Sequence, residues 1–138
     1  MSSALIFGYG HLGRSLAKQL SQSSVYSYGI RRTNLRDAHA KIIAKDIFDL
    51  TIRDIPSCDY VFYCMRPETP SFSDYKKTYI YGLQHVISLC KQQNKRPKKI
   101  ILCSSTKVYG NRYGQVVNEA SSITPMNVIE DNLYKGEN

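Results

Sequence analysis

The sequence predicts an α/β fold on a parallel sheet, and three observations carry that reading. Short apolar runs alternate with stretches of helical spacing or loop, as in βαβ units. The first run, Ala4-Leu5-Ile6-Phe7, is apolar throughout and stops at Gly8, as a strand buried on both faces does. No internal repeat, low-complexity tract or linker interrupts the alternation. The length of 138 residues suits one ordinary domain, and 42% hydrophobic with 22% charged residues excludes a disordered or collagen-like chain.

Each element follows in turn. After the first strand, Leu12, Leu16 and Leu20 recur every four residues with Ala17 beside them, predicting a helix. Ser24 to Ile30 reads as a second strand, Lys41 to Lys45 as a third around Ile42-Ile43, and Asp59 to Met65 as a fourth. Ser71 and Asp74, just after Pro70, suit a capping box. Behind them Tyr75, Tyr79, Leu83, Val86, Ile87 and Cys90 share one face of a long helix, a core stripe rather than a cofactor box. Pro97 blocks its continuation, and Lys99 to Cys103 makes a fifth strand. Right-handed crossovers then imply a doubly wound parallel sheet in the order 3-2-1-4-5.

No apolar run reaches the roughly 18 residues of a membrane span, and no basic n-region precedes the first strand. Cys58, Cys64, Cys90 and Cys103 form no C-x-x-C pair and sit in apolar stretches, predicting buried free thiols and a cytoplasmic protein. The net charge of +8 suits an anionic partner, either a phosphorylated cofactor or nucleic acid. The densest basic cluster, Lys91, Lys95, Arg96, Lys98 and Lys99, falls at a helix–strand connection. No aromatic residue there offers bases a stacking surface, so it reads as a solvated link rather than a nucleic-acid site.

Gly8-Tyr9-Gly10-His11-Leu12-Gly13 is a G-x-G-x-x-G between a buried strand and an amphipathic helix, the context of a dinucleotide-binding turn. Gly8 allows the tight turn, Gly10 lets backbone approach a pyrophosphate, and Gly13 lets helix and strand pack closely. The positive end of the helix then faces the phosphates. His11 reads as a solvent-facing loop residue within reach of phosphate. About 20 residues on, where an NAD binder carries Asp or Glu, this chain has Arg31-Arg32 and no carboxylate before Asp37. Two guanidiniums suit a 2′-phosphate, so NADP is expected ahead of NAD; the alternative is that both are surface residues opening a helix.

With these residues in view, the chain resembles the N-terminal half of the extended and atypical short-chain dehydrogenase/reductases, the NAD-dependent epimerase/dehydratase or nucleotide-sugar epimerase group. Leu5 to Gly13 looks like that group's cofactor fingerprint, and Asp59 to Cys64 like the fourth strand lining its cofactor groove. Ser104-Ser105-Thr106-Lys107-Val108-Tyr109-Gly110 is similar to its Ser-Ser-Thr-x-Val-Tyr-Gly signature. Gly114 to Pro125 resembles the loop that follows. The resemblance implies a Rossmann-type domain over residues 1–125 and a short tail over 126–138, the start of a helix. It implies that Gly8, Gly10, His11, Leu12, Gly13, Arg31, Arg32, Asp46, Ile47 and Cys64 bind cofactor, Asp46 at the adenine. Ser105 takes the place of the hydroxyl that binds substrate, with Thr106 second; the other reading of each is a local backbone cap.

Two features depart from that pattern. None of the 11 tyrosines has Lys four residues on, although the family's hydride chemistry usually relies on Tyr-x-x-x-Lys. The sheet is expected to stop before the catalytic helix and substrate lobe, leaving an edge that invites self-association. The expected function is therefore the NAD(P)-binding domain of an epimerase/dehydratase-like oxidoreductase acting on a nucleotide-sugar substrate, incomplete for catalysis. The alternative is a non-catalytic NAD(P)H-binding or redox-sensing module.

Overall fold

Strands β1 (Ser2–Phe7), β2 (Val25–Arg31), β3 (Ala40–Ala44), β4 (Tyr60–Tyr63) and β5 (Lys99–Leu102) form one sheet in the order β3-β2-β1-β4-β5. Every pairing is parallel. This is a computed structural model describing residues 2–103. The observed order is the expected one. The central position of β1 explains its unbroken apolar run: Ala4, Leu5, Ile6 and Phe7 are all buried because both faces of a central parallel strand are covered.

Helix α1 (His11–Gln22) packs its Ala17 into a cluster with Ile6, Tyr9 and Cys64. Leu16, Leu20, Leu35, Ala40, Ile42 and Phe62 surround that cluster. Leu12 does not follow its helical partners inward; it is 49% exposed. No helix links β2 to β3: the crossover, residues 32–39, lays Leu35 on the cluster and is tied to α1 by two side-chain bonds. Arg14 Nε lies 3.3 Å from Asp37 Oδ2, and Ser21 Oγ lies 3.3 Å from His39 Nδ1.

The fourth strand is followed by helix α2 (Phe72–Lys76), π-helical turns over Lys77–Gly82, and helix α3 (Leu83–Gln92). Ser71 Oγ accepts the Asp74 N–H at 3.2 Å, one half of the expected capping box; the Asp74 carboxylate accepts from the Thr69 N–H instead of reaching back to Ser71 N. The single α-helix read from the sequence is thus interrupted. Tyr75, Tyr79 and Leu83 recur every four residues, slower than the 3.6 of an α-helix, and a widened turn keeps them on one line. Tyr79, Leu83, Val86 and Cys90 are buried as that stripe requires.

Residues 2–65 and 84–103 make one compact unit, and residues 66–83 belong to a second. In the first unit the basic connection before β5 is exposed, with Lys95 and Lys98 Nζ at 3.9 and 3.8 Å from Asp59 Oδ1. Asp59 Oδ2 accepts the Ser3 N–H at 3.0 Å, joining the starts of β1 and β4. Cys58, Cys64 and Cys90 are buried as expected, but Cys103 is exposed, because among the described residues β5 is the last strand of the sheet, its Ile100 and Ile101 themselves each 39% exposed. Among the described residues no helix is long and apolar enough to cross a membrane, and no group of three or more His, Cys, Asp or Glu could hold a metal ion.

Candidate functional site

The glycine turn sits where the sheet's central strand ends. Gly8 takes φ +84, the left-handed region that favours glycine. A Cβ there would stand 2.7 Å from both the carbonyl carbon and oxygen of Cys64. Gly8 N and Tyr9 N both donate to Ile30 O, at 3.2 and 3.0 Å, so the turn is fastened to the carboxyl end of β2. Gly13 is buried, and a Cβ on it would meet Gly8 O at 3.1 Å and Ile6 Cγ2 at 3.2 Å, the close helix–strand packing expected.

Gly10 differs from both. It is exposed, and a Cβ on it would find nothing within 4 Å. Neither a positive φ nor crowding by the protein demands glycine at this position; its N–H donates to Gly8 O at 2.9 Å and its carbonyl accepts the Arg14 N–H at 3.0 Å, while the side where a side chain would stand is open. Gly10 is the N-cap of α1, which has no capping side chain and no acidic residue in its first turn. The positive end of the helix is therefore unneutralised by its own residues, a setting that favours an anion. His11 is exposed there, as the first residue of the helix rather than a loop residue.

The remaining expected site residues spread along the carboxyl end of the sheet. Arg31 ends β2, half-buried, and its Nη2 donates to Thr33 Oγ1 at 3.1 Å; Arg32 is exposed and opens no helix. Asp46 Oδ1 accepts the Phe48 N–H at 2.9 Å, capping the 3-10 turn Ile47–Asp49. Ile47 is buried, so its main chain rather than its side chain is what it could offer a ligand. Cys64 follows β4, backs directly on Gly8, and packs in the buried cluster. Ser105, Thr106 and the rest of the 104–125 signature lie outside the described residues.

Sequence reading missed Tyr9. It is 1% exposed, and its ring lies so close over β2 that a Cβ on Gly29 would sit 2.4 Å from Tyr9 Cδ1. A glycine inside a strand marks such a close approach, and Gly29 was the available signal. The Tyr9 hydroxyl is buried without a partner in hydrogen-bond geometry. Burial, then the charge of nearby Asp37, pushes its pKa up to about 12. Burial pushes Asp37 the other way from its neighbours. The His39 N–H, the Tyr9 hydroxyl and the Arg14 guanidinium together outweigh that burial and hold the carboxyl below its ordinary value. The first carboxylate after β2 is thus turned toward α1.

A parallel sheet in the order 3-2-1-4-5 whose first crossover opens with a glycine turn defines a Rossmann-type fold. Solved structures share it. UDP-glucuronic acid 4-epimerase from Bacillus cereus, in complex with NAD, superposes with a TM-score of 0.78 at 20% identity, over 98% of this chain and 50% of that one. UDP-N-acetylglucosamine 4-epimerase from Methanobrevibacter ruminantium M1, in complex with UDP-N-acetylmuramic acid, gives 0.79 at 20%, over 99% and 48%. An NAD-dependent NDP-hexosamine 5,6-dehydratase involved in tunicamycin biosynthesis gives 0.76 at 20%, over 99% and 48%. The chain spans about half the length of these structures. No family model matches the sequence, and neither does any curated protein.

Proposed function

We propose that this chain binds a nicotinamide dinucleotide and is the cofactor-binding part, residues 1–125, of an oxidoreductase of the nucleotide-sugar epimerase/dehydratase kind. The observation that carries the reading is the Gly10 cradle: an exposed glycine with open space where a side chain would stand, at a helix start with no side-chain cap, beside two glycines that packing does require. The solved neighbours, which include NAD-bound nucleotide-sugar enzymes of this fold, support the same class. In this reading the amides of His11, Leu12 and Gly13 hold the pyrophosphate, and Gly10, lacking a side chain, lets it come close. Arg31 and Arg32 meet a 2′-phosphate, Asp46 and Ile47 border the adenine, and Cys64 walls the groove. Ser105 orients the substrate through its hydroxyl. When bound, the cofactor supplies a hydride acceptor; the residues described here bind and orient it.

NADP is favoured over NAD because Arg31 ends β2, Arg32 follows it, and the nearest following carboxylate, Asp37, is engaged by Arg14. Calorimetry with NADPH and NADH tests both levels. Binding of either, lost at least tenfold in Gly10→Val, supports the site, and absence of heat with both overturns it. Tighter binding of NADPH, reduced to parity in Arg31→Ala/Arg32→Ala, supports the finer assignment. Equal losses for the two nucleotides overturn that assignment alone.

A further inference from the structure

Two thiols meet at the carboxyl end of the sheet. β4 and β5 pair in parallel with Tyr63 opposite Leu102, so the next residues in register are Cys64 and Cys103. The ladder does not fray there: Cys103 N donates to Tyr63 O at 2.9 Å, and Cys64 N donates to Phe7 O at 2.8 Å. Neighbouring strands lie about 4.8 Å apart, and residues in register point to the same face. That separation falls inside the roughly 4.4–6.8 Å between Cα atoms that a disulfide spans. An independent sign of proximity is that the charge of Cys103, after burial, helps raise the Cys64 pKa to about 11. Cys103 is exposed and Cys64 is buried in the α1 cluster.

We infer that Cys64 and Cys103 form a redox-active dithiol whose reversible disulfide closes against the glycine turn. This assignment stands on the register of β4 and β5 and holds whether or not the turn takes a dinucleotide.

The chemistry needs a low-molecular-weight disulfide as oxidant. The exposed Cys103 thiolate attacks one sulfur of that disulfide, forming a mixed disulfide and releasing the first small thiolate. The Cys64 sulfur then attacks Cys103 Sγ, breaking the mixed disulfide and releasing the second. The two protein protons end on the two small thiols, so two protein thiols are oxidised and one small disulfide is reduced. The order follows from exposure: Cys64, buried with a raised pKa, stays protonated until the Cys103 mixed disulfide lies beside it. In-register side chains of parallel strands keep about the strand spacing, wider than the roughly 3.5–4.5 Å between Cβ atoms of a relaxed disulfide. The bond therefore draws the strand ends together and is easily reduced, which suits a reversible link rather than a permanent one. Cys64 also backs on Gly8, so closing the pair bears on the turn's wall.

The remaining two cysteines are an internal control. Cys58 also helps raise Cys90 electrostatically, but both are only 3% exposed and no surface thiol leads to them. The reduced full chain is incubated with oxidised glutathione, alkylated without unfolding, cleaved before Asp59 to part Cys58 from Cys64 and after Lys91 to part Cys90 from Cys103, and read by mass spectrometry. The expected result is a chain lighter by two hydrogens with a Cys64–Cys103 linked peptide pair and no retained glutathione. Dithiothreitol reverses it, Cys103→Ser never forms it, and Cys58 and Cys90 stay unlinked. A lasting glutathione adduct on Cys103 with Cys64 still free, or a link that involves Cys58 or Cys90, overturns the assignment.

Discussion

Three glycines close to the turn illustrate three physical reasons for one residue type. Gly8 is required by its φ of +84 and by Cys64 backbone at 2.7 Å, Gly29 by the Tyr9 ring at 2.4 Å, and Gly10 by neither. Gly8→Ala should lower stability by about 1–3 kcal/mol, because both the backbone and the contact atoms resist adjustment. Gly10→Ala should stay within about 0.5 kcal/mol of wild type while weakening nucleotide binding. Denaturant midpoints separate them; equal destabilisation would mean that Gly10 is structural and the cradle is not a ligand site. Gly29→Ala overpacks against an aromatic ring and should cost about 1–3 kcal/mol. Coupled with Tyr9→Ala, the two costs should fall short of their sum by about 1 kcal/mol, since the second change removes the clash created by the first. Strict additivity would place the ring elsewhere.

At the scale of elements, what the sequence reveals depends on how local the cause is. β1 and β4 were legible because a strand covered on both faces must be apolar at every position, and Ala4 to Phe7 and Tyr60 to Cys64 are close to that. The glycine triplet was legible for the same reason, its spacing and flanking elements lying within one short stretch. The π-helical turns were not, since a four-residue apolar repeat read over a few turns is nearly indistinguishable from a helical one. The bare crossover between β2 and β3 was also hidden: its order rests on Leu35 reaching the buried cluster and on Asp37 and His39 finding partners on α1, contacts that span long sequence separations. Tyr9 over Gly29 is long-range too, visible only as an oddly placed glycine. The cap at Ser71 was legible, being three residues from its partner. Ser71→Ala should cost about 0.5–2 kcal/mol by orphaning the Asp74 N–H, whereas Ser71→Asp should retain most of it. Urea titrations of the pair check this; equal losses would mean that the side-chain oxygen is not the cap.

For the whole molecule, charge and burial together bound the pH range of stability. Asp37 is held low by the partners described above. Asp54 and Asp59 are low chiefly because backbone N–H groups of Thr51 and Ser3 bond them. A depressed carboxyl stabilises the fold above its unfolded value, near 3.8, and that contribution drains away as pH falls through the lower folded value. The opposite sign governs the alkaline side. Burial raises Cys58, Cys64 and Cys90, and it raises Tyr9 to about 12. Such groups give their full contribution below the unfolded values, 9.0 for thiols and 10.0 for the phenol, and lose it as pH climbs toward the folded ones. Stability should therefore be flat between about pH 5 and 8 and fall on both sides. Tyr9 isolates one limb. Its buried hydroxyl lies near the Asp37 carboxyl but has no partner in hydrogen-bond geometry, so Tyr9→Phe removes a desolvated polar group and should change neutral-pH stability by less than about 1 kcal/mol. Between pH 10 and 12 the wild type must ionise a phenol on unfolding that the variant lacks. Its melting temperature should consequently fall more steeply over that interval than that of Tyr9→Phe. Parallel curves for the two proteins would mean that Tyr9 ionises as readily folded as unfolded, and that its ring is not sealed beneath the crossover.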